Sequence, residues 1–401
     1  MGCPVLDSEY YANIARESFC VLYPENSQNQ LVSSKDRLGN TATFEYDGFG
    51  RQTAVIIPNG LRQESVYDSL SRVISSIFND GTASLTTSYA LNFEGRATAQ
   101  VLPDGTTESF NYTNGLLASF TDKAGKVWTY SYTSSGELDT VVAPDGIGLA
   151  VDYDYNDKGQ VAKVTNSEGV LALYDYDTLG RVIKAAMPDN TFSQFEHGPA
   201  GETAQIDRSG RRTGIAYDTY GRRTSVTDPK SQVTGFDYNL AGDLTKLTDA
   251  NTNQTNWQFD GEGNVTKKIY ADNSNYEYSY DKNGWLISRK DAKGAETLYS
   301  YNNIGQLTTV NYPNDADVSF TYDGFGRRTN MADTIGSTTW TYNNTGLVLS
   351  ESSNGGSALA ATVSYTYDSA GRKASMSVAG KTILYSYDSL GRLSSLRSPS
   401  A

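Results

Sequence analysis

The single histidine of this 401-residue sequence, His197, stands 21 residues after Tyr176 and 20 before Tyr217. An imidazole placed beside phenols has the proton-transfer chemistry to act as base and acid on an acidic C–H or a glycosidic oxygen of a sugar. Tyr176, His197 and Tyr217 are therefore the candidate catalytic residues of one reading, a polysaccharide-binding or lyase-like module with a tyrosine-lined groove. Other chemistries have no foothold. There is no Gly-x-Ser-x-Gly elbow, and one histidine with the distant Cys3 and Cys20 gives no zinc spacing. The stretch "DYDYNDKGQVAK" from Asp152 starts like a calcium loop, but Asp157 stands where the turn needs glycine and Lys163 where the bidentate glutamate belongs. Phosphate loops and dinucleotide fingerprints are absent, so no cofactor is expected.

The same residues belong to a longer pattern. The phrase Tyr-Asp-x-x-Gly-Arg occurs with Tyr46, Asp47, Gly50 and Arg51; with Tyr176, Asp177, Gly180 and Arg181; and with Tyr217, Asp218, Gly221 and Arg222. It returns with Tyr322, Asp323, Gly326 and Arg327; with Tyr367, Asp368, Gly371 and Arg372; and with Tyr387, Asp388, Gly391 and Arg392. Relaxed copies fill the gaps, among them "YDSLSR" at Tyr67, "YNDKGQ" at Tyr155, "FDGEGN" at Phe259 and "YNNIGQ" at Tyr301. Counting weaker copies such as "HGPAGE" at His197, 17 anchors follow one another at steps of 20 to 25 residues, most often 21. An eroded eighteenth copy is expected at Tyr23 ("YPENSQ"). A fixed period of this length signals a repeat architecture.

Each unit reads as a hairpin. Aromatic residues two apart, such as Phe44 and Tyr46 or Tyr278 and Tyr280, give the strand alternation. Asp or Asn followed by Gly supplies turn chemistry ending in a left-handed residue. A second turn closes the unit: "PNG" at Pro58, "PDG" at Pro103 and Pro144, "DRSG" and "DAKG" elsewhere. The array is therefore expected to be all-β, two strands of six to eight residues per unit, with anchor Asp and Arg serving as turn caps and inter-repeat ion pairs. About twenty of the 29 tyrosines fall on or two residues beside an anchor, which makes them strand residues first and sugar platforms second. Seventeen hairpins give roughly 34 strands, a ribbon about 160 Å wide at about 4.8 Å per strand. Twist forbids a flat sheet of that breadth, so the ribbon should coil into a spiral, hollow or groove-bearing shell.

A net charge of −13 disfavours nucleic acid and anionic membranes as partners, and no apolar run reaches the length of a bilayer span. No secretory signal is visible at the start. Residues 1–30 are off-register and read as an N-terminal cap before a repeat shell over 31–401. Cys3 and Cys20 are either bonded to each other or unrelated thiols. The repeats run to within ten residues of the C-terminus, which predicts a continuation covering the last strand edge.

"YDTLGR", "YDSLGR", "YDGFGR" and "YDSAGR" at this spacing resemble the YD repeats of bacterial Rhs proteins, insecticidal Tc-toxin B and C components and the teneurin shell. The resemblance covers about residues 31–401. It implies a non-enzymatic shell module of an exported toxin or cell-surface protein that encloses or presents a polypeptide cargo or contacts a surface receptor. A glycan is the partner the carbohydrate reading implies. Encapsulating relatives add an aspartate-dependent self-cleaving segment and a toxin after the repeats; "LSSLRSPSA" after Arg392 matches neither.

Overall fold

The computed structural model describes residues 26–144, 150–355, 360–388 and 391–398. Cys3, Cys20 and nearly all of the proposed cap lie outside them. The described residues form 35 strands and no helix. Each strand pairs antiparallel with the next in the chain, from Ser33–Lys35 on Thr41–Tyr46 to Lys381–Tyr387 on Leu393–Arg397. The result is one long meander, and its two end strands are not joined to each other.

The reason for the repeat is local. In the pair Thr41–Tyr46 and Gln52–Ile56, Phe44 faces Val55 and Glu45 faces Ala54, then the register slips and Tyr46 faces Gln52. The same slip precedes Tyr176, Tyr217, Tyr322, Tyr367 and Tyr387. An extra residue at this point twists the strand out of the ladder and into the turn. There the Asp47 N–H donates to the Arg51 carbonyl and the Gly50 N–H to the Asp47 carbonyl, both at 3.0 Å. Gly50 takes φ 82°, a conformation glycine adopts at no steric cost. The second turn repeats the geometry: Ile57 N–H to Leu61 O at 3.0 Å, and Gly60 N–H to Ile57 O at 2.9 Å. Where glycine is missing, Ser71, Asn190, Ser231, Thr252 and Asn273 hold the left-handed position instead.

Tyr23, where the eighteenth copy is expected, lies outside the described residues, but a turn of the same kind follows it: the Asn26 N–H donates to Gln30 O at 3.0 Å and Asn29 takes φ 59°, so this turn starts at Asn26, 21 residues before Asp47. Asparagine in the glycine slot hid it. Strands are also shorter than expected, commonly five or six residues.

The sheet is a single layer. Trp128, Tyr130 and Tyr132 are half-buried on one face while the alternating Thr129 and Ser131 are exposed on the other. Buried apolar side chains among the described residues are confined to Ala54, Leu61, Ala172, Ala204 and Val310. Among the described residues no second layer covers either face, so their stability comes from neighbour on neighbour along the ribbon.

Long-range contacts show how the ribbon winds. Arg37 Nη1 donates to the Lys282 carbonyl at 3.4 Å and Asn283 Nδ2 to Asp36 Oδ2 at 2.8 Å. Asn303 Nδ2 donates to the Pro58 carbonyl at 2.6 Å and Asn59 Nδ2 to the Gly324 carbonyl at 3.3 Å. These pairs lie 245 to 265 residues apart, and each joins a second turn of an early repeat to a Tyr-Asp turn of a late one. One winding therefore takes about twelve hairpins, a circuit roughly 37 Å across at about 4.8 Å per strand. The ribbon is a spiral whose windings meet rim to rim.

Candidate functional site

The anchor residues assemble into one device. Asp47 Oδ1 accepts from the backbone N–H of Phe49 at 2.9 Å and of Arg51 at 3.0 Å, while Oδ2 accepts from Arg51 Nε at 2.7 Å. Asp177 with Arg181, Asp218 with Arg222, Asp323 with Arg327, Asp368 with Arg372 and Asp388 with Arg392 repeat the Arg Nε bond at 2.6 to 2.8 Å. The ion pair thus closes within one turn. This corrects the expectation of inter-repeat ion pairs: four residues around a tight turn return the arginine to its own aspartate.

What crosses between repeats is the rest of the guanidinium. Nη1 of Arg51 donates to Asp68 O at 3.1 Å, that of Arg181 to Gly198 O at 2.9 Å, and that of Arg327 to Asn343 O at 3.0 Å. The same group lies over the next anchor ring, Arg51 on Tyr67 at 4.8 Å and Arg372 on Tyr387 at 4.5 Å from the centroid. The tyrosine answers in the reverse direction. Tyr46 Oη donates to Leu31 O at 2.9 Å, and Tyr322 Oη to Leu307 O at 2.7 Å, each carbonyl belonging to the preceding repeat.

A substitution pattern missed in the sequence follows from this geometry. Where glutamine replaces arginine, asparagine replaces aspartate: Asn156 Nδ2 donates to Gln160 Oε1 at 3.0 Å and Asn302 Nδ2 to Gln306 Oε1 at 2.9 Å. Gln160 Nε2 then donates to Gly180 O at 3.0 Å and Gln306 Nε2 to Gly326 O at 2.8 Å, preserving the link to the next repeat. The signal was available as a correlation between positions four apart.

Tyr176, His197 and Tyr217 do stand in one row, and the row has a use. Tyr176 Oη donates to Val161 O at 2.7 Å and Tyr217 Oη to Glu202 O at 2.8 Å. His197 Nε2 lies 2.7 Å from Val182 O, so that nitrogen carries the proton and the imidazole takes the anchor tyrosine's place. Burial raises the Tyr176 phenol above its ordinary value, as it does at Tyr280, Tyr301 and Tyr367. The Arg51 side chain holds Asp47 below the usual carboxylate range, and the Arg181 backbone N–H lowers Asp177. Reluctant phenols and saturated carboxylates suit a wall more than proton transfer. Among the described residues no group of three or more His, Cys, Asp or Glu could hold a metal ion, and no helix is long and apolar enough to cross a membrane.

Comparison with known proteins follows the same lines. Residues 202–340 match the family model Teneurin YD-shell, and residues 26–62 match RHS Repeat. Double-stranded DNA deaminase toxin A of Burkholderia cenocepacia (strain H111) is 24% identical over 173 residues, 43% of this chain and 12% of that protein. The crystal structure of TcdB2-TccC3-TEV superposes with a TM-score of 0.74 at 14% identity, over 98% of this chain and 26% of its own. The Photorhabdus luminescens Tc holotoxin pore with the TccC3-D651A mutation gives 0.68 at 13% identity, over 89% and 24%. The chain thus spans a minor part of each of these proteins.

Proposed function

We propose that this chain, matched in part by the Teneurin YD-shell and RHS Repeat models, is a stretch of toxin-shell wall that encloses a polypeptide. It would work outside the cell, secreted or at a cell surface, and the wall itself would break and make no bonds. One observation supports this reading: a single-layer sheet wound rim to rim, with almost no buried core among the described residues. A sheet normally buries one face on a second layer. Here no second layer of described residues covers that face, which suits contact with a chain held inside.

The relatives support the choice of cargo class, since the deaminase toxin and the TccC3 assemblies are named as toxins. The test is co-expression of the chain with a toxin segment of the deaminase kind, followed by proteinase K digestion of the purified complex. The segment should co-purify and resist digestion until the shell is unfolded. A segment that fails to co-purify, or is cut as fast as when free, would sink the reading.

A further inference from the structure

The hexapeptide "YDGFGR" occurs at Tyr46–Arg51 and again at Tyr322–Arg327, and the two copies meet different surroundings. Phe49, in the first, is 87% exposed, whereas Phe325, in the second, is half-buried. A β-carbon on Gly48 would meet nothing within 4 Å; one on Gly324 would come within 2.3 Å of Asp80 Cβ. Sequence cannot cause the difference. The second copy is covered by the second-turn rim of the earlier winding, through Asn59 and Asp80.

The uncovered stretch of the Tyr-Asp rim is apolar and long. Phe93 (94%), Leu240 (103%), Tyr220 (79%) and Leu179 (76%) project from its turn tips with Phe49. Such a row on one edge marks an interaction surface. The structure also carries the matching surface. The second turns Met187–Thr191, Asp207–Arg211, Asp228–Gln232 and Asp249–Asn253 present exposed tips on the opposite rim. Asp207–Arg208 there repeats Asp36–Arg37, and Arg37 already grips Glu262 and the Lys282 carbonyl across the existing winding contact.

We propose that the free Tyr-Asp rim of one molecule docks the free second-turn rim of a second copy, continuing the spiral across molecules by the contact already made within one. The occupant follows from that intramolecular contact: what covers Phe325 is a second-turn rim, and a second copy brings another of the same curvature. Such a contact is heterologous, uses different faces of the two partners, and propagates.

Sedimentation velocity of the full chain over a concentration series reads it. Wild type should form a ladder of species growing with concentration. Phe93→Asp with Leu240→Asp should give monomer, and so should Arg208→Glu with Lys230→Glu, both keeping the wild-type circular dichroism. Mixed, the two variants should form dimers and nothing larger, since each retains one intact rim. Wild type that stays monomeric at its highest soluble concentration overturns the proposal. So does self-association that survives both variants, or a mixture that remains monomeric.

Discussion

The Arg222 guanidinium lies 5.0 Å from the centroid of the Tyr238 ring while its Nη1 donates to the Asn239 carbonyl at 2.8 Å. One side chain thus closes its own turn and grips the next. Replacing Arg222 by Lys keeps the charge and loses the planar fork. We expect Arg222→Lys to lower stability by about 1 kcal/mol and Arg222→Ala by about 2 kcal/mol, from the stacking and hydrogen-bond contributions together. Urea unfolding with unchanged slope would measure both; a neutral Arg222→Ala would contradict the inter-repeat role.

His197 should be replaceable. His197→Tyr restores the side chain its neighbours carry and should leave stability equal or higher. His197→Ala removes the bond to Val182 and should cost about 1 kcal/mol. Urea midpoints compare the three proteins. A tyrosine variant less stable than the alanine variant would show that the row does not treat the two rings as equivalents.

Gly48 and Gly324 are paired controls for the winding. Gly48→Ala enters open space and should leave the melting temperature nearly unchanged. Gly324→Ala collides with Asp80, and a backbone shift there should lower the melting temperature and enlarge the scattering radius. Equal effects at the two sites would mean that the windings do not touch in solution.

Acid should loosen the array. Asp47, Asp68, Asp177 and Asp207 are held below the usual carboxylate value by hydrogen bonds from their arginines. A carboxylate whose folded pKa is depressed binds its proton more readily when unfolded, so its stabilisation is present above the unfolded value and lost as pH falls through the folded one. Stability should therefore be flat near neutrality and fall below about pH 4, the unfolded carboxylate range. Urea midpoints between pH 7 and pH 2 would check it; stability rising below pH 4 would reverse the sign.

The turn pairs should exchange as pairs. Asn156→Asp beside Gln160, or Gln160→Arg beside Asn156, mismatches one turn, whereas the double change rebuilds the Asp–Arg turn seen at Asp177 and Arg181. The double variant should be more stable than the sum of the single effects predicts, by about 1 kcal/mol. Additive values would mean the two positions act independently.

The period, the hairpins and the left-handed glycines were legible because the bonds that close each turn reach two to four residues, as from Asp47 to Phe49, Gly50 and Arg51. Asn26 escaped notice since Asn29 replaces the glycine, and the Asn–Gln pairs escaped because motif counting treats positions singly. His197 looked like chemistry by residue type; only its distance to Val182 shows the imidazole filling a tyrosine's place.

The winding was beyond any local reading. The chain by itself determined a ribbon that must curl, since its alternation and turns recur without interruption. Tertiary structure alone decided that the rims meet after about twelve hairpins, and that one "YDGFGR" is covered while its twin faces solvent. The physical reason is the reach of the forces: turn bonds read four neighbours, whereas rim contacts such as Asn303 with Pro58 join residues 245 apart and depend on small twists summed along the whole sheet.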